Sequence, residues 1–286
     1  MSNNKDMADI LSDQYRSVFS RPRYENNDPD ELFPDRPMSS SSLSNIVFTK
    51  EELLDAIKEV SANSASGPDE FPAILLKQCG DAFATPLYII WRKSLDTGAI
   101  PAQCKMANIV PIHKGKSRAI PKNYRPVALT SLLVKVFEKV VRRHLVAFLE
   151  ETQQFNPSQH GFRGGRSCLS QLLEHFDRIT RLMEEGKTVD IIYLDFAKAF
   201  DKVDIGITLR KLNSLGIEGR LGRWLHCFLT GRSQKVIVNG TKSDPQPVIS
   251  GVPQGSVLGP LLFLILIGDI DCDVSSFFIS SFADDT

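Results

Sequence analysis

The 286-residue sequence predicts an α+β fold, in which helices cover one face of a mixed β-sheet. Two observations lead to this prediction. Amphipathic stretches with apolar residues at helical spacing, such as 131–151 and 168–185, alternate with short apolar runs typical of strands, such as 107–112 and 189–196. The apolar share of 42% also allows a substantial buried core in a chain of this length.

The first hundred residues divide into a polar part and a helical part. Residues 1–48 are rich in Asn, Asp, Pro and Ser, and they predict a linker with one short helix near Met7–Phe19. Residues 49–104 predict a helical region that precedes the main domain. Its first helix begins with Thr49 and Glu52, which have the spacing of a capping box.

From residue 105 onwards strands and helices alternate, and we assign residues 105–286 to one domain. The dipeptide Asn239-Gly240 predicts a turn between two short strands in this domain. The other predicted elements, in chain order, are a helical stretch from 71 to 97, a strand at 107–112, helices at 131–151 and 168–185, a strand at 189–196, helices at 204–215 and 219–229, strands at 234–238 and 247–249, a helix at 260–267 and a strand at 277–282.

Charge is unevenly distributed along the chain, although Lys and Arg total 34 and Asp and Glu total 34. Residues 105–143 hold ten Lys or Arg against one acid, Glu138. Residues 269–286 hold five Asp and no Lys or Arg. A basic block and an acidic block in one chain suit a protein that binds a polyanion on one surface and metal ions on another.

The sequence predicts no contact with a membrane. Its longest apolar run, 257–267, is shorter than the ~20 residues of a membrane span, and the N-terminus lacks the apolar core of a signal peptide. The five cysteines are scattered and form no CxxC pair. They fit reduced thiols in an intracellular protein, either nuclear or cytoplasmic, and no clear signal favours one compartment.

Three aspartates suggest the chemistry. Asp195 lies near the end of the predicted strand 189–196, and Asp284 and Asp285 follow the last apolar segment. Carboxylates at the ends of neighbouring strands can hold two divalent cations ~3.5–4 Å apart, as in in-line displacement at phosphorus. Mg²⁺ prefers a few carboxylates together with phosphates and water. By itself the pattern suits a nucleotidyl transferase, and less well a two-metal nuclease or phosphatase.

Two glycine-rich segments suit contacts with nucleotides or nucleic acid. In the loop 250–260, glycines allow a close approach of the backbone, and Gln254 offers both a donor and an acceptor. In the segment 159–167, Arg163 and Arg166 suit a nucleic-acid backbone. On composition alone, the segment 250–260 is more typical of an ordinary Gly/Pro loop that leads into a helix, and His160 alone is more typical of a structural residue than of a catalytic one.

The basic block contains a predicted hairpin that suits phosphate binding. Its cations are Lys114, Lys116 and Arg118, and Arg125 follows at the start of the next segment. Arg gives bidentate contacts to phosphate oxygens, so a hairpin of this kind can clamp a triphosphate. The spacing of glycine and lysine does not match a P-loop, which excludes that class of NTPase site.

Six motifs, taken in order, resemble the reverse transcriptases of non-LTR (LINE-type) retrotransposons, near the jockey and CR1 branches. The resemblance covers roughly residues 50–286. The motifs are Ser-Gly-Pro-Asp at 66–69, Asn-Tyr-Arg-Pro at 123–126, Gln-His-Gly-Phe-Arg at 159–163, Tyr-Leu-Asp-Phe-Ala-Lys-Ala-Phe-Asp at 193–201, the loop 250–260, and Phe-Ala-Asp-Asp-Thr at 282–286.

The resemblance implies the fingers and palm of a right-hand polymerase. The implied reaction is the template-directed addition of deoxynucleotides to the 3′ end of a DNA primer, with RNA or DNA as the template, as in an RNA-directed DNA polymerase. The implied cofactor is a pair of Mg²⁺ ions, or Mn²⁺ in their place. The carboxylates of Asp195, Asp284 and Asp285 would be the catalytic metal ligands, together with the backbone carbonyl of Phe196.

Nucleotide contacts are also implied by the resemblance. Phe200, five residues after Asp195, would be a steric gate, because an aromatic ring beneath the sugar leaves no room for a 2′ hydroxyl. Gln254 and Gly255 would border the nucleotide and the template. The triphosphate contacts would be Lys116, Arg118 and Arg125, and the nucleic-acid contacts would be Lys114, Arg163 and Arg166.

The sequence departs from the family pattern in several places. Glu70, Ile205 and Gly268 stand where Gly, His and Asn are common, and none of them is an implied metal ligand. The family's return strand and thumb would follow Thr286, so we expect a truncated domain with the thumb absent. We expect the isolated chain to be weakly active or inactive. The alternative is a non-catalytic nucleic-acid-binding remnant of a retroelement.

Overall fold

A computed structural model describes residues 3–22, 28–33, 42–270 and 278–285 of the protein. The helices of this part of the chain are α1 (Asn4–Arg16), α2 (Pro29–Leu32), α3 (Lys50–Lys58), α4 (Ala73–Gln78), α5 (Gly80–Thr97), α6 (Leu132–Glu151), α7 (Cys168–Glu184), α8 (Ile205–Ser214), α9 (Gly219–Leu229) and α10 (Gly259–Ile267). The strands are β1 (Met106–His113), β2 (Tyr124–Leu129), β3 (Arg232–Val238), β4 (Thr241–Lys242) and β5 (Gln246–Val248).

The five strands form one mixed sheet in the order β2-β1-β3-β4, with β5 also paired to β3. β1 and β2 are antiparallel, with Pro111 opposite Pro126. β1 and β3 are parallel, with Ile109 opposite Val236. Parallel pairing needs a long crossover, which here includes helices α6 to α9. The predicted α+β class with a mixed sheet is therefore confirmed.

The main hydrophobic core lies among the helices and is organised around α6. Phe137 on α6 stacks on Trp91 with ring centroids 4.9 Å apart, and it meets Trp224 edge-on at 5.3 Å. All three rings are buried. Helices α3, α5, α8, α9 and α10 add apolar side chains to the same core. This core fixes α6 and α10, and α10 begins four residues after Gly255 of the predicted nucleotide-binding loop.

The segment before residue 49 packs against the rest of the chain where it is described. The predicted short helix is confirmed as α1, which lies on the sheet through Ala8, Leu11 and Tyr15. Phe33, after α2, is fully buried in the main core. It is so close to Gly222 that a Cβ built there would lie 2.2 Å from its ring. The boundaries proposed at residues 48 and 104 stay a prediction.

Helices predicted from periodicity and capping are present close to their predicted bounds. The capping box is formed in α3, where Thr49 Oγ1 accepts from the N–H of Glu52 at 3.2 Å and the Glu52 carboxylate accepts from the N–H of Thr49 at 2.8 Å. The predicted helices 131–151 and 168–185 are found as α6 and α7. The helical stretch 71–97 differs, because it is divided into α4 and α5 at Cys79.

The prediction of a strand at 189–196 is wrong. This segment forms no ladder with any described strand, apart from one isolated bridge between Asp195 and Asp285. Ile192 and Tyr193 are 80% and 79% exposed. A strand needs a neighbour to receive its backbone hydrogen bonds, and apolar alternation cannot show whether one is present.

The predicted last strand, 277–282, is not a strand in its described residues either. Residue 277 lies outside the described part, and residues 278–280 have no regular structure. Ser281 and Phe282 form only isolated bridges, with Gln159 and Asp285. The ends of the two predicted strands therefore meet only through isolated bridges, and among the described residues no continuous β-ladder joins them.

Candidate active site

Residues 282–285 form a tight turn, called here the aspartate turn. The N–H of Phe282 donates to the carbonyl of Asp285 at 2.8 Å, and the N–H of Asp285 donates to the carbonyl of Phe282 at 3.2 Å. Ala283, the first central residue, has φ +57° and is 6% exposed. A left-handed conformation is uncommon for a residue with a Cβ, so this turn needs support from its surroundings.

The turn places one predicted metal ligand beside another. Asp285 is the antiparallel bridge partner of Asp195, although the two residues are ninety positions apart. Both are exposed and Asp284 is half-buried. No other residue of the described chain forms a hydrogen bond or an ion pair with any of these three carboxylates. They are therefore free to bind a cation.

The three carboxylates do not converge fully. Across residues 3–22, 28–33, 42–270 and 278–285, no group of three or more His, Cys, Asp or Glu side chains is arranged to hold a metal ion. The structure thus brings Asp195 and Asp285 together and leaves Asp284 at the tip of the turn. Their unpaired oxygens are the hard donors that Mg²⁺ or Mn²⁺ prefers, so the residues fit such a cation by their chemistry.

Phe200 is held by two aromatic neighbours. It lies in a short 3₁₀ turn, Ala199–Lys202, which follows a left-handed residue, Lys198, with φ +58°. Its ring stacks on Phe263 of α10 with centroids 4.5 Å apart and an interplanar angle of 28°. The ring of Phe162 meets it edge-on at 6.1 Å. The Phe200 ring is therefore held in place only five residues after Asp195.

Gln254 is connected to the same segment. Its side-chain amide donates to the carboxylate of Asp201, the residue after Phe200. Burial raises the pKa of the Asp201 carboxyl, and the neighbouring Lys198, the Gln254 amide and Arg125 oppose this shift. The predicted nucleotide-binding loop is thereby tied to the segment that carries Asp195.

The backbone around Gln254 is also packed closely. Its carbonyl accepts from the N–H of Ala128 on β2 at 2.9 Å. Gly255 has φ +112°, and a Cβ built on it would lie 2.5 Å from the Ala128 carbonyl oxygen. Glycine is therefore required at this position because of its contact with β2. The predicted close approach of this backbone to a ligand stays a prediction.

The basic hairpin connects β1 and β2 and is exposed at its tip. The N–H of Lys114 donates to the carbonyl of Asn123 at 2.7 Å, and the Tyr124 hydroxyl donates to the carbonyl of Arg118 at 3.0 Å. These bonds give the loop a defined shape. The exposed cations, none of which forms an ion pair within the described chain, are Lys114, Lys116, Arg118, Lys122 and Arg125.

Arg163 and Arg166 both contact other residues of the domain. The Arg163 side chain is 10% exposed, pairs with Glu150 at 3.2 Å and lies 4.8 Å above the ring of Phe155. Arg166 donates to the carbonyl of Pro157. These contacts give both arginines a structural role, and their predicted contact with nucleic acid stays a prediction.

Comparison with known proteins identifies the family. Residues 112–286, well over half of the chain, match the family model described as reverse transcriptase (RNA-dependent DNA polymerase). The chain belongs to the reverse transcriptase family. The match includes every predicted metal ligand of the chain and the whole of its glycine-rich loop 250–260.

Individual relatives come from non-LTR mobile elements. The chain is 31% identical over 243 residues to the probable RNA-directed DNA polymerase from transposon BS of Drosophila melanogaster. It is also 31% identical over 246 residues to the RNA-directed DNA polymerase from mobile element jockey of the same species. These matches cover 82% and 83% of the chain, and 27% of each relative. The chain therefore spans about a quarter of the length of these relatives.

The family as a whole has general requirements. Members of the family use RNA templates, primers and dNTPs, and they depend on divalent metal ions. Within the residues that the structure describes, none of the helices combines the length and apolar character needed to cross a bilayer.

Two buried residues of the site region were not predicted from sequence. Glu138, the lone acid of the basic block, is 1% exposed and accepts hydrogen bonds from the N–H groups of Val257 at 2.6 Å and Leu258 at 3.0 Å. Gln159 is 4% exposed and binds the aspartate turn. The sequence offered one signal for each residue. Glu138 is the single acid in a basic run, and Gln159 belongs to the family motif at 159–163.

Proposed function

We propose that the site formed by Asp195 and the aspartate turn catalyses RNA-directed DNA synthesis, adding dNTPs to a primer 3′ end. The observation that carries this proposal is the backbone bridge between Asp195 and Asp285, two residues whose carboxylates have no partner in the described chain. Asp195, Asp284, Asp285 and the carbonyl of Phe196 would hold two Mg²⁺ ions, or Mn²⁺ in their place. When bound, such ions neutralise charge on transferring phosphates and activate a hydroxyl.

The proposed function includes an assignment of the elements to the fingers and palm of a polymerase. We assign the sheet of β1, β2 and β3, with its basic hairpin, to the fingers of a right-hand polymerase. The segment of Asp195 and the aspartate turn belong to the palm. In this arrangement the basic hairpin and the carboxylates belong to one catalytic domain. A polymerase needs both, because cations bind the triphosphate of the dNTP and the carboxylates hold the metal ions at the reacting centre.

The nucleotide would be bound by residues that the structure holds in defined positions. The Phe200 ring, backed by Phe263, would exclude a 2′ hydroxyl and so select deoxynucleotides. Gln254 and Gly255 would border the nucleotide and template. The exposed cations Lys116, Arg118 and Arg125 would contact the triphosphate, and Lys114 would contact the template or primer backbone.

Primer extension tests this proposal. The purified chain is given an RNA template annealed to a DNA primer, dNTPs and Mg²⁺, beside an Asp195→Ala variant. Asp190→Ala is the matched control, because Asp190 is an exposed aspartate of the same segment. We expect a low but measurable yield from the wild type and from Asp190→Ala, and none from Asp195→Ala. Extension that is absent, or that persists in Asp195→Ala, would contradict the proposal.

A second candidate function is nucleic-acid binding without catalysis. The exposed hairpin cations, which lack ion-pair partners in the described chain, favour it. This function predicts binding to RNA or DNA that weakens steeply with salt and is unchanged by Asp195→Ala. Binding of this kind by a folded chain that shows no Asp195-dependent extension would favour the second candidate over the first.

A further inference from the structure

The side chain of Gln159 lies buried beneath the aspartate turn. Its Oε1 accepts hydrogen bonds from the N–H of Ala283 at 2.8 Å and from the N–H of Gly161 at 2.7 Å. Its Nε2 donates to the carbonyl of Ala283 at 3.1 Å. One amide therefore binds both backbone polar groups of Ala283. A reversed amide would face two N–H donors with its own NH₂, so the pattern determines the orientation.

Ala283 needs this support because of its conformation. With φ +57°, it lies in a region that L-residues rarely adopt, and such residues persist only where surrounding contacts determine them. Ala283 is also buried, so its N–H and carbonyl have no ready access to water. The amide of Gln159 satisfies both groups and fixes the peptide units on either side of Ala283.

The backbone next to Gln159 approaches the aspartate turn so closely that it restricts which residue can stand at position 161. A Cβ built on Gly161 would lie 2.3 Å from the Ala283 nitrogen, so only glycine fits. The N–H of His160 donates to the carbonyl of Ser281 at 2.9 Å, and the N–H of Ser281 donates to the carbonyl of Ser158 at 3.0 Å. The segment 158–161 and the turn thus dock by backbone and side-chain bonds together.

This docking segment is itself anchored to α7. His160 is 4% exposed, and its Nδ1 lies 2.9 Å from Ser170 Oγ. Its Nε2 lies 3.0 Å from the carboxylate of Glu174. Both partners are residues of α7. Gln159 therefore directly precedes His160, whose ring contacts α7 through both of its nitrogens. The support for the turn is therefore a fixed element and not a loose loop.

We propose that Gln159 is a positioning residue that holds the aspartate turn in the geometry catalysis requires. It contacts no substrate and acts through Ala283, which precedes Asp284 and Asp285 directly in the chain. The catalytic part of this inference rests on the proposed polymerase function. Its structural part, the hold on the turn, is measurable without catalysis.

The first test replaces Gln159 with methionine, which has a similar length and cannot form these hydrogen bonds. Gln154→Met is the matched control, because Gln154 is an exposed glutamine five residues earlier. Hydrogen exchange of the peptide over 282–285 gives the protection of the turn amides. We expect protection to fall about tenfold or more in Gln159→Met and to stay unchanged in the control. Circular dichroism confirms that both variants are folded.

Catalysis is measured on the same proteins by single-nucleotide extension. A displaced metal-ligand turn affects the reacting geometry more than nucleotide affinity. We therefore expect kcat of Gln159→Met to fall on the order of a hundredfold, with KM for the dNTP little changed. Extension by wild type, and its absence in Asp195→Ala, first establishes that the chain is a polymerase.

A second variant, Gln159→Glu, tests the bonding pattern itself. A protonated carboxyl offers one donor and one acceptor, as the amide does, whereas a carboxylate offers only acceptors. A carboxylate at this position would face the Ala283 carbonyl oxygen. In Gln159→Glu, the hydrogen-exchange protection of the turn amides, corrected for intrinsic exchange, should therefore recover as pH falls from about 8 to about 6. The wild type should show no such recovery.

The outcomes are distinguishable. Loss of turn protection in Gln159→Met, with recovery of Gln159→Glu at low pH, supports the hold on the turn whether or not the chain polymerises. Unchanged protection in Gln159→Met overturns it. If the wild type extends primers and Gln159→Met keeps its kcat, the catalytic role is overturned. If the wild type shows no Asp195-dependent extension, the proposed function fails, and the exchange data alone decide the role of Gln159.

Discussion

The carboxylate of Glu138 on α6 accepts a hydrogen bond from the backbone N–H of Leu258, at the start of α10, at 3.0 Å. The same oxygen accepts from the N–H of Val257 at 2.6 Å. A buried acid thus supplies the negative charge that a helix N-terminus favours. Because α10 carries Phe263, which supports Phe200, this bond connects the main core to the candidate nucleotide site.

Glu138→Ala is expected to destabilise the protein by about 2–4 kcal/mol, because it leaves two buried N–H groups unpaired and opens a cavity. Glu138→Gln is expected to have a much smaller effect, since its amide oxygen can accept both bonds. Urea unfolding of the two variants beside wild type measures the difference. Equal destabilisation by both substitutions would show that charge, and not hydrogen bonding, is the main contribution.

Glu138 also predicts a pH dependence. Burial raises the pKa of its carboxyl above the ordinary value of 4.5, although the N–H groups and Arg232 oppose this shift. Between the unfolded and folded pKa values the native state binds more protons than the unfolded state. The free energy of unfolding should therefore fall as pH rises through this window and level off above it. Glu138→Gln should remove this component, and a wild-type-like slope in that variant would contradict the assignment.

Gly255→Ala is expected to be strongly destabilising, by about 2 kcal/mol or more beyond the effect of its positive φ. The reason is the Ala128 carbonyl oxygen, 2.5 Å from the new Cβ. Gly115→Ala is the matched control, because Gly115 has a similar φ of +105° with no atom within 4 Å of the added Cβ. Thermal unfolding of both variants separates backbone strain from the steric clash, and equal losses would rule out the clash.

Phe200→Val should increase the incorporation of ribonucleotides relative to deoxynucleotides. The Phe200 ring is held by Phe263, so removing it opens space where the proposal places the sugar. The ratio of kcat/KM for an rNTP and its dNTP measures the effect. Phe148→Val, a half-buried phenylalanine of the main core, should leave the ratio unchanged. An unchanged ratio in Phe200→Val would remove Phe200 from the proposed steric gate.

Under the second candidate function, in which the hairpin cations bind nucleic acid, the double substitution Lys116→Ala with Arg118→Ala should weaken binding to an RNA–DNA duplex and reduce its dependence on salt. Each lost phosphate contact lowers the slope of log K against log salt by about one. Lys93→Ala, an exposed lysine of α5, is the control and should change neither quantity. Binding isotherms at several salt concentrations give the slopes, and a slope equal to that of wild type would place the duplex away from the hairpin.

Local sequence patterns were sufficient for several elements. The capping box at Thr49 and the apolar periodicity of α6 both arise between residues three or four positions apart, so they are readable from the chain itself. The order of six motifs was likewise enough to predict the family. The strand at 189–196 was wrong because a strand exists only with a partner, and its partner is not specified by its own residues.

The candidate site also has features that the sequence predicts and features that only the fold decides. The sequence by itself determined which residues are present, and the resemblance to the family predicts Asp195, Asp284 and Asp285 as metal ligands and Phe200 as a gate. Only the tertiary structure decided that Arg163 faces Glu150 and that Gln159 binds Ala283, 124 positions away. Side-chain type and local spacing are encoded along the chain. A hydrogen bond between distant positions depends on how the helices and the sheet pack, and no local pattern records that arrangement.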